Sequence, residues 1–174
     1  MSRIGAFIRE FLGIVIVAFL LAMILRTFVI EGRWIPSGSM LPTIQVGDRV
    51  MVNKFIYYFK EPERGDIVVF EPPESINQKD DYIKRIIGLP GDKIEVKDGK
   101  VWVNDEPLDE PYILEPSNYE YGPVQVPENA LFVMGDNRNM SYDSHLWNGW
   151  LTMDHLKGKA FLIYWPISHI KLLD

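Results

Sequence analysis

The sequence predicts a mainly β protein in which a single N-terminal transmembrane helix precedes one antiparallel β-sheet domain. An uncharged, almost wholly apolar run extends from Phe11 to Leu25. Beyond Ile30, short β-branched runs alternate with Gly, Pro and Asp turn signals, and no 3.6-residue periodicity persists. The 174 residues leave room for a domain of roughly 140 residues after the helix.

The apolar run is short for a membrane-spanning helix, which needs about 20 apolar residues. It spans if Arg9 and Arg26 extend their charged ends to the two interfaces. A cleaved signal peptide is the alternative, because a basic start and a short apolar run fit one. Residues 25–30 offer no small-x-small cleavage site, and Glu10 is out of character for a signal peptide. An uncleaved anchor is therefore favoured.

Basic residues predict how this anchor is oriented. Arg3 and Arg9, together with the amino terminus, favour a cytoplasmic N-terminus, although Arg26 weakens the asymmetry. Residues 1–30 are then the cytoplasmic N-terminus and anchor in the cell membrane. Residues 31–174 form an extracytoplasmic β-rich domain.

The clearest strand signal is a β-hairpin. Residues 93–97 and 100–104 alternate with period two around Asp98-Gly99, a pair typical of two-residue hairpin turns. Further strands are predicted at residues 49–53, 66–70, 130–134 and 160–165.

Residues 55–59 are a run of bulky side chains flanked by Lys54 and Lys60. They predict either a buried strand or a loop that dips into the lipid interface, where aromatics and lysines are common. Trp34, after the anchor, favours the same contact. We hypothesise that the domain rests on the bilayer.

Composition excludes several kinds of function. A formal net charge of −6 argues against a general nucleic-acid binder. The absence of cysteine rules out a thiol nucleophile, thiolate zinc sites and disulfides. His145, His155 and His169 lack metal-ligand spacing, so no metal and no cofactor are expected.

The stretch 35–43 is the first candidate for chemistry, because it combines Ser37, Gly38 and Ser39 with prolines at positions 36 and 42. Glycine permits unusual backbone angles and proline fixes φ, so the segment predicts a stiff loop that presents a serine. The alternative is a plain linker between anchor and domain.

Lys84 is the second candidate. If residues 82–86 form a strand, Tyr82, Lys84 and Ile86 share one face. On a buried face, desolvation disfavours the ammonium form, so such a lysine could take a proton from a serine. The alternative is an ordinary lysine on the solvent side of an edge strand.

The third candidate is the polar stretch 135–145, which predicts either a surface loop or a buried hydrogen-bonding platform. Asp143 and His145 beside a serine also suggest a Ser-His-Asp triad. That interpretation requires His145 to reach a distant nucleophile, which adjacency in sequence does not provide.

These three stretches, in this order after an anchor, resemble bacterial type I signal peptidase, the Ser-Lys dyad family also called leader peptidase, in its short Gram-positive-like form. The resemblance extends from the anchor to Trp165. The matching motifs are Pro36-Ser37-Gly38-Ser39-Met40 with Pro42-Thr43, Tyr82-Ile83-Lys84-Arg85 with Gly88-Leu89-Pro90-Gly91-Asp92, and Gly135-Asp136-Asn137-Arg138 with Ser141, Asp143 and Ser144.

The resemblance implies a role for each matching residue. Ser39 would be the nucleophile and Lys84 its general base. The Ser39 backbone N–H and the Ser37 hydroxyl would hold the oxyanion. Ser141 would hydrogen-bond to Lys84 and orient it, while Asp143 and Arg138 would brace the site. The side chains implied to line shallow pockets for small substrate residues are Ile35, Pro36, Met40, Ile44, Tyr82 and Ile83.

The implied activity is removal of signal peptides from secretory preproteins, with cleavage after an Ala-x-Ala-like sequence. The implied partners are these preproteins and the lipid bilayer, and residues of about 91–126 would form a small second β region. The chain departs from the family's usual pattern at Met140 and at His145, where an arginine is common. We therefore do not assign the arginine's bracing role to His145.

Two other functions compete with this one. A self-cleaving repressor-type protease shares the Ser-Lys chemistry, but the anchor and the lack of a DNA-binding helical domain count against it. A non-catalytic, membrane-tethered β module that binds exported polypeptides is the alternative from another class. The presence of both Ser39 and Lys84 argues against it.

Overall fold

A computed structural model describes residues 3–24, 26 and 29–173 of the chain. The predicted start of the cytoplasmic segment at positions 1–2 and the end of the apolar run at position 25 lie outside the described residues, as do positions 27, 28 and 174. Helix α1 comprises Arg3–Ile24. Within the described ranges, no helix has the length and apolarity needed to cross a membrane. The transmembrane anchor stays a prediction.

The rest of the described chain is mainly antiparallel β structure, as predicted. The strands are β1 Ile30–Trp34, β2 Arg49–Asn53, β3 Ile67–Phe70, β4 Tyr82–Gly88, β5 Lys93–Lys97, β6 Lys100–Val103, β7 Glu106–Pro107, β8 Tyr121–Gln125, β9 Ala130–Met134, β10 Leu151–Thr152, β11 Leu156–Trp165 and β12 Lys171–Leu172. β11 begins before the predicted position 160 because a bulge at Gly158 lets the strand continue; a Cβ there would lie 2.4 Å from the carbonyl oxygen of Asn53.

The larger sheet has the order β1-β2-β11-β3-β4-β9-β10, with β12 paired to β11. β4 is an interior strand, because Val68 of β3 pairs with Lys84 on one side and Met134 of β9 pairs with Arg85 on the other. Residues 83–88 are all buried. Since both faces of β4 are covered, Lys84 and Arg85 are buried on opposite faces.

The smaller sheet has the order β7-β6-β5-β8 and contains the predicted hairpin, which turns at Asp98-Gly99. Its apolar face packs on the larger sheet in one cluster, where Ile94 and Val101 join Phe132 and Met134 of β9. The smaller sheet is therefore fixed beside the end of β9. The domain boundaries given above stay a prediction.

Residues 55–59 do not form a buried strand, and that alternative is wrong. Ile56–Tyr58 is a short 3₁₀ helix. Phe55, Tyr58 and Phe59 are 42%, 79% and 75% exposed. Tyr57 is the side chain that anchors the segment, because its hydroxyl donates a hydrogen bond to Asp66 at 3.0 Å.

Candidate active site

The serine-bearing stretch is a compact loop rather than an extended linker. It follows β1, and the N–H of Gly47 donates to the carbonyl oxygen of Ile35 at 2.9 Å, which closes the base of the loop. Within it, the N–H of Leu41 donates to the carbonyl oxygen of Gly38 at 3.2 Å. Ser39 is buried among the turns that follow. The loop therefore holds Ser39 in one position.

Asn137 attaches this loop to the polar stretch 135–145. Its backbone N–H donates to the carbonyl oxygen of Ser39 at 3.1 Å. Its side-chain Nδ2 donates to the carbonyl oxygen of Gly38, also at 3.1 Å. The first and third stretches of the sequence are thus joined at the serine itself.

The second stretch brings Lys84 to the same point. Lys84 Nζ lies 2.7 Å from Ser39 Oγ and donates a hydrogen bond to it. Lys84 is 5% exposed, and its amine lies 5.5 Å from the centre of the Tyr82 ring. The alternative of a solvent-facing lysine on an edge strand is wrong, because β4 is interior and its lysine points at the serine.

Burial favours the neutral form of this lysine. Desolvation lowers the pKa of Lys84 from 10.5 to about 8, against the raising effect of the Asp143 and Asp136 carboxylates. An amine with this pKa is partly neutral near pH 7–8, in contrast to an exposed lysine. It can accept a proton from a hydroxyl 2.7 Å away.

Asp143 organises the start of the polar stretch. One carboxylate oxygen accepts the N–H of Gly135 at 2.9 Å, and the other lies 2.6 Å from Nδ1 of His145. Gly135 has room for no side chain, because a Cβ would lie 2.3 Å from Ser141 Oγ and 2.4 Å from the carbonyl oxygen of Ser39. This glycine allows the stretch to approach the serine loop.

Ser141 is buried beside this contact but does not make the predicted hydrogen bond to Lys84. Its hydroxyl has no hydrogen-bond partner among the residues that the structure describes. The amine of Lys84 instead donates to Ser39. The role of Ser141 as the residue that orients Lys84 stays a prediction.

A buried ion pair underlies the site on each side. Arg85 donates to both oxygens of Asp136 at 2.9 and 2.8 Å, and its guanidinium lies 4.0 Å from the centre of the Tyr112 ring. Arg138 pairs with Glu110 and also donates to the carbonyl oxygen of Gly135 at 3.1 Å. Arg138 is thus paired with a residue of the segment after β7, and its bracing role stays a prediction.

The geometry does not support a Ser-His-Asp triad. His145 bonds to Asp143 and stacks on Tyr119 with ring centres 4.2 Å apart. Ser144 accepts the backbone N–H of Val133 at 2.9 Å. Ser39 is bonded to Lys84 instead. The histidine is therefore a partner of Asp143 and not the base for the serine.

A surface groove of about 520 Å³ opens onto Ser39 and Lys84. Of the predicted substrate-binding residues, Pro36, Tyr82 and Ile83 line it. Ile35, Met40 and Ile44 do not, because they are 3%, 0% and 0% exposed within the core. Contact of these three with substrate stays a prediction. The other residues lining the groove are Ser37, Gly38, Gln78, Asp80, Asp81, Asn137, Met140 and Tyr142.

Ser37 lies at the same opening. Its hydroxyl oxygen is 3.5 Å from Ser39 Oγ, close enough to contact an oxygen that forms next to the nucleophile.

No group of three or more His, Cys, Asp or Glu side chains able to hold a metal occurs in the described part of the chain.

Comparison with known proteins identifies the family. A family model described as "Signal peptidase, peptidase S26" matches residues 8–165. The chain belongs to this signal peptidase family. It is therefore a peptide-bond hydrolase, and the resemblance drawn from the three motifs is confirmed.

Individual signal peptidases match over most of the chain. A probable signal peptidase I-2 from Synechocystis sp. is 51% identical over 161 residues, which cover 91% of this chain and 73% of that protein. Signal peptidase I from Bacillus licheniformis is 35% identical over 175 aligned residues, covering 95% and 92%. A crystal structure of a signal peptidase I from Enterococcus faecalis matches with a TM-score of 0.50 and 30% identity, covering 57% of this chain and 97% of that one.

Sequence reasoning gave no role to several residues that the site uses. Asp136 and Asn137 lie inside the quoted motifs, where their polar character in a stretch of short side chains was the available signal. Glu110 and Tyr112 carried no signal, because they reach the site from a loop of the smaller sheet. Met140 and Tyr142 were also missed as rims of the groove.

The approach at Gly135 generates a prediction. We expect Gly135→Ala to lower kcat/KM for preprotein cleavage by roughly 100-fold, because the added Cβ must push Ser39 or Ser141 away and a 1 Å misplacement has that order of effect. Gly13→Ala is the matched control, since nothing lies within 4 Å of its Cβ. Activity equal to wild type in folded Gly135→Ala protein, checked by circular dichroism, would contradict the geometry described here.

Proposed function

We propose that Ser39 and Lys84 form a catalytic dyad with which this chain removes N-terminal signal peptides from secreted preproteins, cutting after small residues in an Ala-x-Ala-like sequence. The observation that carries the proposal is the 2.7 Å hydrogen bond between a buried lysine amine and a serine hydroxyl at the floor of an open groove. Membership in the signal peptidase family supports the choice of substrate.

In the proposed first step, the neutral amine of Lys84 accepts the proton of the Ser39 hydroxyl. The Lys84–Ser39 hydrogen bond then runs from Oγ to Nζ, the reverse of the direction described above. The oxygen attacks the scissile carbonyl carbon, and a tetrahedral oxyanion forms. As this intermediate collapses, the ammonium of Lys84 gives its proton to the leaving amine, and the signal peptide stays bound to Ser39 as an ester.

In the second half of the reaction, Lys84 takes a proton from a water molecule, which attacks the ester carbonyl. Collapse of the second tetrahedral intermediate releases the signal peptide as a carboxylic acid, which loses its proton to solvent, and Lys84 returns the first proton to Ser39. The lysine therefore acts as base and acid in both halves, and each turnover consumes one water. Its pKa of about 8 suits both roles near neutral pH.

We assign the developing oxyanion to the backbone N–H of Ser39 and the hydroxyl of Ser37. Ser37 is supported by its position 3.5 Å from the nucleophilic oxygen. Each such donor contributes on the order of 3 kcal/mol to stabilisation of the transition state. Asp143 and Arg138 support these groups indirectly, since both bond to Gly135, which lies against the serine loop.

Pro36, Tyr82 and Ile83 are proposed to contact the residues before the cleaved bond. The core residues beneath them are well packed, so a long substrate side chain finds little depth beside Ser39. This packing supports a preference for alanine-sized side chains over large ones.

We further propose that the chain works at the extracytoplasmic face of the cell membrane, with α1 as a single-pass anchor and a cytoplasmic N-terminus. Exposed apolar side chains along α1, such as Phe11, Ile14 and Leu21, support an environment other than water. So do Trp34 and Trp165, which lie on either side of Arg49 in the paired strands β1, β2 and β11 and are exposed. Aromatic residues are typical of the lipid interface.

Preprotein cleavage tests the dyad. We expect detergent-solubilised Ser39→Ala and Lys84→Ala proteins to lose at least about 1,000-fold in kcat, because each removes a reacting group. Lys100→Ala, which alters an exposed hairpin lysine, should cleave as wild type does.

A substrate with phenylalanine in place of the alanine just before the cut should be cleaved far more slowly.

Two outcomes would count against the dyad. Equal cleavage by all the variants would place the nucleophile elsewhere. No cleavage by any folded protein, including wild type, would favour the membrane-tethered module that only binds exported polypeptides. A serine-directed acylating reagent distinguishes the dyad from the binding module, since only the dyad makes Ser39 reactive.

Fluorescence quenching tests the membrane contact. In liposomes that contain brominated lipids, we expect the full chain's tryptophan emission to be quenched, and Trp34→Phe combined with Trp165→Phe to reduce the quenched fraction. Trp102→Phe is the control, because Trp102 lies in the smaller sheet beneath Lys97. If the double variant is quenched as strongly as wild type, the surface that carries Trp34 and Trp165 does not contact the lipid.

A further inference from the structure

His145 is a buried titratable group that the proposed reaction does not use. Its side chain is 8% exposed, and Nδ1 lies 2.6 Å from Asp143 Oδ1. Because a carboxylate accepts at this contact, Nδ1 carries the hydrogen. The ring stacks on Tyr119 with ring centres 4.2 Å apart and planes within 5°, and it meets the edge of Tyr121 at 6.2 Å. Packing and a hydrogen bond therefore hold the imidazole in one orientation.

Asp143 connects this histidine to the reacting groups. The carboxylate is 0% exposed, and its second oxygen accepts the N–H of Gly135, the residue that touches the Ser39 loop. Its charge also acts on the amine of Lys84, whose ammonium form it stabilises. One buried carboxylate thus bonds the imidazole with one oxygen and the Gly135 N–H with the other, while its charge acts on the Lys84 amine.

We propose that His145 is a positioning residue that holds the Asp143 carboxylate and, through it, sets the pH range in which Lys84 can act as a base. The proposal rests on the Ser-Lys function above. A positive partner at position 145 offsets the field of Asp143 at Lys84, so the lysine gives up its proton at lower pH. Without a donor at position 145 the full field remains, and the lysine keeps its proton to higher pH.

The other charged groups around this pair have their own partners. Asp136, the second carboxylate that acts on Lys84, is bonded by Arg85. Arg138, whose charge reaches Tyr119, is bonded by Glu110.

The neighbouring phenols stay neutral at working pH. Burial raises the pKa of Tyr119 to about 12, and it also raises the pKa of Tyr121 and of Tyr82, whose ring faces Lys84. Tyr142 and the Asp80 carboxylate, which line the groove, also raise the pKa of Tyr82. His145 is therefore the position at which a substitution changes the charge next to Asp143.

The test is the pH dependence of kcat/KM for preprotein cleavage by the full chain in detergent, from pH 6 to pH 10. We expect His145→Arg to move the rising limb to lower pH than in wild type. His145→Phe, which keeps a ring against Tyr119 but has no donor, should move the limb to higher pH. Each shift should be roughly half a unit to one unit. His155→Phe, at a half-buried histidine outside the site, should leave the limb in place.

The proposal would be overturned if the rising limbs of kcat/KM coincide in wild type, His145→Arg and His145→Phe. It would also be overturned if both variants move the limb in the same direction. If either variant fails to fold, His145→Gln retains a donor and should lie between wild type and His145→Phe. The control for the underlying function is Ser39→Ala. Cleavage by this variant at the wild-type rate would show that Ser39 and Lys84 are not the catalytic dyad. An active dyad with an unmoved limb refutes only the role of His145.

Discussion

The contact between the Lys84 amine and the Ser39 hydroxyl is the interaction on which the rest of this structure depends. Lowering the pKa of a lysine from 10.5 to about 8 corresponds to roughly 3 kcal/mol that disfavours the ammonium form inside the protein. A chain gains nothing in stability by burying that amine. The rest of the sheet must offset this loss of stability. The same burial leaves the amine partly neutral, and so able to accept a proton, near neutral pH. Stability and reactivity are therefore opposed at this residue.

The scaffold meets this demand by fixing the Ser39–Lys84 pair from three directions. The interior position of β4 leaves Lys84 only 5% exposed, the turns after β1 fix Ser39, and the stretch after β9 approaches Ser39 through Gly135. Buried ion pairs then tie that stretch to its surroundings, with Glu110 bonding Arg138 from the side of the smaller sheet. Breaking such a pair leaves an uncompensated buried charge, which is strongly destabilising, so the pairs favour one arrangement of the loop.

How much of this was predictable from sequence varies with how local the signal is. The hairpin at Asp98-Gly99 and the strand at residues 130–134 follow from short-range patterns and were found. The serine and lysine motifs were found because they are dense and ordered. Residues 55–59 were ambiguous, because a run of bulky side chains does not reveal that Tyr57 turns inward to bond Asp66. Glu110 could not be found, since its partner Arg138 is distant in sequence and only the docking of the two sheets brings them together. The burial of Ile35, Met40 and Ile44 beneath the groove is likewise a consequence of tertiary packing.

The central claim is that Lys84 is a base because it is buried, and its titration in the folded protein tests this most directly. The side-chain carbon next to Nζ can be followed by NMR in protein with isotope-labelled lysine, with Lys84→Met used to assign the signal. The account predicts a midpoint at about pH 8, well below the value of about 10.4 for a lysine in a model peptide. A midpoint for Lys84 that falls among those of the exposed lysines would contradict the account, because the amine would then be charged throughout the range in which the serine must lose its proton.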